Sequence, residues 1–168
     1  MGRRTDHARG APGRGHGLAV PRIERVAKLT WEGNTARGNG TMTAGSGAFE
    51  SVPFSLPSRI ERVGGKTSPE ELLAAAHGGC FTMSLSTELS AAGTPPERLD
   101  VRVTVVMDEV EGQGHRVVSS HIAARGRVPG VDEAGFRRAA EAADAGCPIS
   151  ALIKGTATVT FEVALEPR

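Results

Sequence analysis

The sequence predicts an α+β fold, built from antiparallel strands and two helical regions in one domain. Segments with strand-like alternation occur in groups of three, two and one, separated by helical segments. This order, βββ-α-ββ-α-β, differs from the regular βαβ repeat of a parallel sheet. A helical segment near the middle carries no charged residue from Leu72 to Thr87. The length of 168 residues suits a single domain with one substantial core.

Residues 1–21 are predicted to form a flexible basic tail, and residues 22–168 the folded domain. Glycine and arginine dominate this first segment, which lacks the apolar run of a signal peptide. Over the whole chain, 20 basic and 19 acidic residues leave a net charge of +1. Such a balance gives no global attraction to nucleic acid or to a membrane surface, so we expect neither as a partner.

The chain has two cysteines, Cys80 and Cys147, too few for the disulfide scaffold of a small secreted protein. No segment approaches the ~20 apolar residues that a membrane span requires. We therefore expect a cytoplasmic protein. In a reducing compartment the two cysteines are either inert core residues or one redox couple.

Three strands are predicted in the first part of the domain. Residues 23–31 alternate loosely, and residues 41–49 form a second strand interrupted by glycines. Residues 52–62 are assigned to a third strand, which Pro53 and Pro57 place near a sheet edge.

The central helix is predicted to begin at a hydroxyl N-cap, Thr67 or Ser68, followed by Pro69 and two glutamates. Because it is uncharged on every side, we expect it to be central and buried. Several small residues lie along it: Ala74, Ala75, Ala76, Gly78 and Gly79. They would let a second helix approach closely, which suggests a copy of the same helix in a homodimer.

The second half of the chain is predicted to form two strands, a helix, a short helix and a last strand. Alternation assigns the strands to residues 99–109, 116–128 and 156–163. Asp132 is predicted to cap a helix that runs to Ala145. The Gly146-Cys147-Pro148 sequence interrupts that helix, and residues 149–153 resume a short one.

The two cysteines allow different interpretations. Cys80 lies within the uncharged helix, where free cysteine is often a small core residue. Cys147 lies between a helix-ending glycine and a proline, which favours a fixed but accessible side chain. A thiol peroxidase would need a cation or donor to stabilise the thiolate, and a second thiol to trap the sulfenic acid. Whether the two thiols meet depends on the tertiary fold.

Candidate cations for such a site are Arg37, in a predicted turn, and Arg59, in the predicted third strand. Glu70 or Glu71 could hold either arginine in a bidentate ion pair. Glu70 and Cys80 are separated by ten positions, so a straight helix places them about 15 Å apart. If both serve one site, the acid must come from a bent helix start or from a partner chain.

Two other chemistries are weighed against the peroxidase. His77, Cys80 and Cys147 offer three possible zinc ligands, with His115 or His121 as a generic fourth. A cysteine hydrolase would use His77 as its base, but no group that would orient this histidine is evident.

Three motifs give the chain its resemblance to a known family. They are the helix from Ser68 to Leu85, the pair Trp31-Glu32-Gly33 and Arg37-Gly38-Asn39-Gly40, and the segment Ala145-Gly146-Cys147-Pro148-Ile149-Ser150. Together they resemble the OsmC/Ohr family over roughly residues 25–165, and the OsmC branch more than the Ohr branch.

The resemblance implies an intertwined homodimer in which antiparallel sheets wrap two long central helices, with sites between the chains. It implies that Cys80 is the peroxidatic thiolate and Cys147 the resolving thiol that forms a disulfide with it. Glu70 occupies the family's acidic position. Arg37 matches the arginine of the Ohr branch and Arg59 that of OsmC-type sequences, so Arg59 is favoured.

The implied substrates are organic hydroperoxides and, less well, hydrogen peroxide. The implied reductant is a dithiol such as a lipoylated protein, and no cofactor is expected. A non-catalytic redox sensor or stress-binding protein on the same scaffold is the alternative.

Overall fold

A computed structural model describes residues 22–61 and 64–166. Its helices and strands are, in chain order, β1 (Ala27–Glu32), β2 (Asn39–Ala44), β3 (Val52–Phe54), α1 (Leu56–Glu61), α2 (Pro69–Ala91), β4 (Arg98–Val110), β5 (Gly114–Arg127), α3 (Glu133–Gly146), α4 (Pro148–Lys154) and β6 (Thr158–Leu165). The tail predicted over residues 1–21 lies outside the described residues.

The strands form two three-stranded sheets. Strands β1, β2 and β3 pair in that order and are antiparallel throughout. In the second sheet β5 pairs with β4 antiparallel and with β6 parallel. The parallel pair follows from the long crossover through α3 and α4, since parallel neighbours cannot be joined by a tight hairpin. The predicted α+β class with antiparallel sheets is confirmed, with this parallel pair added.

The prediction of a strand over residues 52–62 was wrong beyond Phe54, because the chain turns there into α1. Ser55 and Ser58 exchange hydrogen bonds at the start of that helix: the Ser55 N–H donates to Ser58 Oγ (2.9 Å) and the Ser58 N–H to Ser55 Oγ (3.2 Å). This reciprocal pair satisfies N–H groups that a helix start leaves free. Pro57 is tolerated because it lies in the first helical turn.

Helix α2 begins as predicted. The Ser68 side chain caps it by accepting a hydrogen bond from the Glu71 N–H (3.2 Å), and Pro69 is its first residue. One face of α2 is buried through residues at four-residue spacing: His77, Phe81, Leu85 and Leu89.

The prediction that α2 is buried on every side does not hold within one chain. Ala75, Ala76 and Gly79 are exposed, and Met83 keeps 69% of its surface accessible. These residues lie on one stripe of the helix, opposite the buried face. The chain therefore presents an uncharged helix face to its surroundings.

The core lies between helices α2 and α3 and one face of the second sheet. Phe81 and Leu85 from α2 pack there with Ile122 from β5 and Phe136 from α3. Gly126 of β5 is required for this packing, because a Cβ atom there would come within 2.7 Å of the Phe136 ring. The core thereby fixes α2, which carries Cys80, against the sheet and the helices that follow it.

The first sheet meets the rest of the chain mainly through β3 and α1. Phe54 forms a parallel bridge with Thr67, and the Lys66 ammonium donates to Asn39 Oδ1 (2.7 Å). Strand β1 is exposed along its whole length. Its large apolar side chains and those just before it are accessible, namely Ile23, Val26, Leu29 and Trp31.

Candidate active site

The two cysteines, far apart in sequence, meet between α2 and the junction of α3 and α4. The distance between Cys80 Sγ and Cys147 Sγ is 3.0 Å, and both are free thiols. Cys80 is half-buried, whereas Cys147 is only 1% exposed. At this separation a small movement of either side chain would bring the two sulfur atoms to bonding distance, so an oxidant that takes two electrons could convert the thiols to a disulfide. Cys80 is the more accessible sulfur.

The local sequence fixes the position of Cys147 between two helices. It ends α3 and also caps α4, with an extended backbone (φ −80°, ψ 113°) and Pro148 as the first residue of α4. Its sulfur takes the place of a capping hydroxyl and accepts a hydrogen bond from the Ser150 N–H (3.4 Å). The Gly-Cys-Pro sequence thus ends α3, starts α4 and leaves the Cys147 sulfur facing α2.

The surroundings of the two sulfurs shift their pKa values in opposite directions. Burial raises the pKa of the Cys80 thiol, and the adjacent Cys147 sulfur raises it further. Burial also acts to raise the pKa of Cys147, but hydrogen bonds from the Cys80 thiol and from Ser150 outweigh it, so this pKa is lowered.

Arg59 and Glu70 form a second cluster, which links α1 to the start of α2. The Arg59 Nε and Nη2 atoms both donate to Glu70 Oε1, at 2.9 and 2.5 Å. Burial acts to raise the pKa of Glu70, but the hydrogen bonds and charge of Arg59 lower it overall. The other oxygen, Glu70 Oε2, is buried and has no partner among residues 22–61 and 64–166.

The two clusters do not meet within one chain. Because α2 is continuous from Pro69 to Ala91, Glu70 lies about 15 Å along the helix from Cys80. Arg37 lies in the exposed turn between β1 and β2, where its N–H donates to Asn34 Oδ1 (3.0 Å). Across the described part of the chain, no arginine or lysine contributes to the pKa shift of Cys80. The structure thus joins Cys80 to Cys147 and Arg59 to Glu70, and leaves Arg37 apart from both pairs.

His77 has partners that sequence reasoning missed. It is fully buried; its Nδ1 atom lies 2.8 Å from Ser120 Oγ and its Nε2 atom 2.8 Å from Ser150 Oγ. Both nitrogens are therefore engaged by hydroxyl groups, which contradicts the zinc and hydrolase interpretations of His77. The uncharged helix indicated burial, but the two serines lie on other elements and no local pattern marks them.

The histidines suggested as a fourth zinc ligand also lie elsewhere. His121 follows Ser120 in β5, so its side chain points to the opposite face of the sheet. There its Nδ1 atom lies 2.9 Å from Thr160 Oγ1. His115 is exposed near the start of β5.

The fold and its paired thiols define a dithiol protein on an α+β scaffold, and comparison with known proteins shows its family. The family model described as OsmC-like protein matches residues 62–162. A relative, the peroxiredoxin OsmC of Escherichia coli (strain K12), is 35% identical over 141 residues, covering 84% of this chain and 97% of the relative. The chain belongs to the OsmC-like family.

Solved structures share the fold. An organic hydroperoxide resistance protein OsmC from Legionella pneumophila superposes with a TM-score of 0.70 at 20% identity, covering 86% of this chain and 99% of that one. The organic hydroperoxide resistance protein OhrB of Bacillus subtilis gives a TM-score of 0.65 at 21% identity, with coverages of 83% and 98%. At these identities the likeness establishes the fold.

Within the residues that the structure describes, no helix combines the length and the apolar character needed to cross a membrane.

Proposed function

We propose that this chain is a thiol-dependent peroxidase that reduces organic hydroperoxides, and hydrogen peroxide less well, through Cys80. The observation that carries the proposal is the 3.0 Å separation of the Cys80 and Cys147 sulfur atoms. The names of its relatives support it, since one is a peroxiredoxin and others are organic hydroperoxide resistance proteins.

The proposed cycle uses one sulfur to attack the peroxide and the other to trap the product. The Cys80 thiolate attacks one peroxide oxygen, the O–O bond breaks, and the alcohol leaves with a proton while Cys80 becomes a sulfenic acid. The Cys147 thiolate then attacks the Cys80 sulfur and expels hydroxide, which becomes water and leaves a disulfide. A dithiol, for which a lipoylated protein is our candidate, returns the disulfide to two thiols and is itself oxidised.

Cys80 needs a positive group, and residues 22–61 and 64–166 of the same chain place none beside it. Its pKa is raised in the isolated environment, whereas the attacking form must be the thiolate. We place this group on a second copy of the chain, in a homodimer whose sites lie between the subunits. Arg59 is our first candidate, because Glu70 already holds its guanidinium in a fixed orientation, and Arg37 is the second.

Two exposed surfaces support the homodimer. Helix α2 leaves an uncharged stripe accessible, including Met83 at 69%, and the first sheet leaves Leu29 accessible at 60%. Exposed large apolar side chains that lie together on one face mark interaction sites more often than ordinary surface does. Covering the α2 stripe with a second copy of α2 would also explain its small residues.

A kinetic comparison tests the proposed function. The purified chain would receive cumene hydroperoxide or hydrogen peroxide, with a reduced lipoyl dithiol as the electron donor. We expect repeated turnover with both, and a larger kcat/KM with the organic hydroperoxide. Turnover that depends on neither cysteine would refute the proposal. Because the cycle requires reduced thiols, we assign the protein to a reducing compartment such as the cytoplasm.

A further inference from the structure

We propose that Ser120, His77 and Ser150 form a directed hydrogen-bond chain that ends on the Cys147 sulfur and stabilises it as a thiolate. In this arrangement His77 is a positioning residue that acts through Ser150. The inference rests on the proposed function for its role in turnover, but the interaction itself is independent of peroxide chemistry.

The hydrogen-bond chain spans three elements of secondary structure. Ser120 of β5 and Ser150 of α4 each place a hydroxyl oxygen 2.8 Å from a ring nitrogen of His77, which lies on α2. All three residues are 0% exposed, so water does not compete for these hydrogen bonds. His77 precedes Cys80 by one helical turn, and Ser150 follows Cys147 by three residues. The hydrogen-bond chain therefore ties α2, which carries Cys80, and α4, which Cys147 caps, to the sheet.

The direction of the hydrogen-bond chain follows from the need to give each buried hydroxyl hydrogen an acceptor. Within residues 22–61 and 64–166, the Ser120 side chain has His77 as its hydrogen-bond partner and no other. If His77 donated to Ser120, the buried Ser120 O–H would have no acceptor, which is costly. If instead the Ser120 O–H donates to Nδ1, then Nε2–H donates to Ser150 Oγ. In the proposed arrangement the Ser150 O–H then donates to the neighbouring Cys147 sulfur, which already accepts from the Ser150 N–H, so that every hydrogen has an acceptor.

One observed contact places Ser150 against the sulfur: its backbone N–H donates to Cys147 Sγ at 3.4 Å. In the proposed arrangement the Ser150 hydroxyl is a second donor to the same sulfur. Both groups lower the pKa of Cys147 against the opposing effect of burial. A hydroxyl that accepts from His77 is a better donor than an isolated one, because linked hydrogen bonds polarise one another.

Burial favours the neutral form of His77, which the hydrogen-bond chain requires, and the two nearby charged residues oppose each other. Burial lowers the pKa of His77. Asp144 of α3 raises it and Lys154 of α4 lowers it, but these two residues are themselves paired at 2.5 Å. A neutral ring has one N–H and one acceptor nitrogen, so it can pass the hydrogen-bond direction from Ser120 to Ser150. No proton needs to be transferred along the chain.

A stabilised Cys147 thiolate would serve two steps of the cycle. In the first it is the nucleophile that forms the disulfide with the Cys80 sulfenic acid. In the second, the reducing dithiol attacks the more accessible Cys80 sulfur, because Cys147 is 1% exposed. The S–S electron pair then leaves with Cys147, and a thiol of lower pKa leaves faster.

A single-thiol titration tests the inference. Cys80→Ala leaves Cys147 as the one thiol of the chain, and its ionisation is followed by the ultraviolet absorbance of the thiolate as pH is varied. Adding Ser150→Ala should move the midpoint upward by about one pH unit, since a hydrogen bond to a charged group is lost. His77→Leu should also raise the midpoint. His77→Gln should move it back toward the parent, because its amide can donate to Ser150 from the Nε2 position.

Controls separate this role from a structural one. Ser58→Ala removes another buried serine hydroxyl, in α1, and should lower Tm without moving the Cys147 midpoint. The inference is overturned if Ser150→Ala and His77→Leu, folded by circular dichroism, titrate like their parent. If His77→Leu does not fold, Ser150→Ala decides the matter alone. No peroxide is used, so failure here leaves the peroxidase proposal standing, and failure of turnover leaves this result standing.

Discussion

The Cys80 and Cys147 sulfur atoms lie 3.0 Å apart although 67 positions separate them in the sequence. Helix α2 brings the first sulfur to this point, and the break between α3 and α4 brings the second. Hydrogen bonds lower the pKa of the buried thiol, Cys147, whereas burial raises the pKa of Cys80. Cys147 can therefore act as a nucleophile beside the accessible Cys80. Cys80 itself needs a further, positively charged group that stabilises its thiolate.

Replacing each cysteine should give different products. Cys80→Ser should abolish peroxide consumption, because the attacking sulfur is lost. Cys147→Ser should react once and then accumulate sulfenic or sulfinic acid on Cys80, which intact-protein mass spectrometry would detect. Multiple turnover in Cys147→Ser at the wild-type rate would contradict the resolving role.

The two arginines should differ in their effect on the first step. Arg59→Ala should slow the reaction of Cys80 with cumene hydroperoxide by roughly 100-fold in a single-turnover experiment, because a positioned charge that stabilises the thiolate and transition state is lost. Arg37→Ala should react nearly as fast as wild type. Arg98→Ala is a matched control, since Arg98 also forms an ion pair, with Asp100, but on an exposed strand. A large effect in Arg37→Ala and none in Arg59→Ala would reverse the assignment.

A charge on the exposed face of α2 should disrupt the dimer. Met83→Lys places an ammonium on the stripe that we assign to the subunit interface, where burial of an unpaired charge is costly. Sedimentation should then show a shift from dimer to monomer. Leu152→Lys on α4 is the control, because Leu152 is 68% exposed, close to the 69% of Met83. A dimer unaffected by Met83→Lys would exclude this face from the interface.

Stability should fall as pH is lowered through the range where an unfolded histidine is protonated. Burial lowers the pKa of His77 in the folded chain, so between that pKa and about 6.5 the unfolded state binds the extra proton. The contribution of neutral His77 is therefore complete above pH ~6.5 and is lost below it, by at most about 1.4 kcal/mol per pH unit.

Urea unfolding at pH 7.5 and at pH 5.5 measures this dependence. His77→Gln should flatten the profile, whereas His115→Gln, at an exposed histidine, should leave it as in wild type. An unchanged profile in His77→Gln would show that another group carries the dependence.

Local signals predicted the parts of the fold that depend on neighbouring residues. The Ser68-Pro69 start of α2 is an example, because capping involves residues three positions apart. The same local reasoning fails at α1, where Pro53 and Pro57 predict an edge strand. There the exchange of hydrogen bonds between Ser55 and Ser58 decided the outcome.

The site was only partly predictable, because its contacts cross between elements. Residue types indicated that Glu70 could hold an arginine, and the structure pairs it with Arg59. The chain from Ser120 through His77 to Ser150 had no sequence signal, since its members lie on β5, α2 and α4. The motifs that resemble the OsmC/Ohr family gave more specific predictions about the site than spacing or composition did.

A thiol count tests the central claim most directly. The reduced chain would receive one equivalent of cumene hydroperoxide, and free thiols would be counted before, after, and again following addition of a lipoyl dithiol. We expect rapid loss of both thiols, their recovery with the dithiol, and the same result over many cycles. Retention of both thiols would contradict the peroxidase proposal, and so would a single oxidation after which the dithiol does not restore turnover. Either outcome would favour a redox sensor or binding protein.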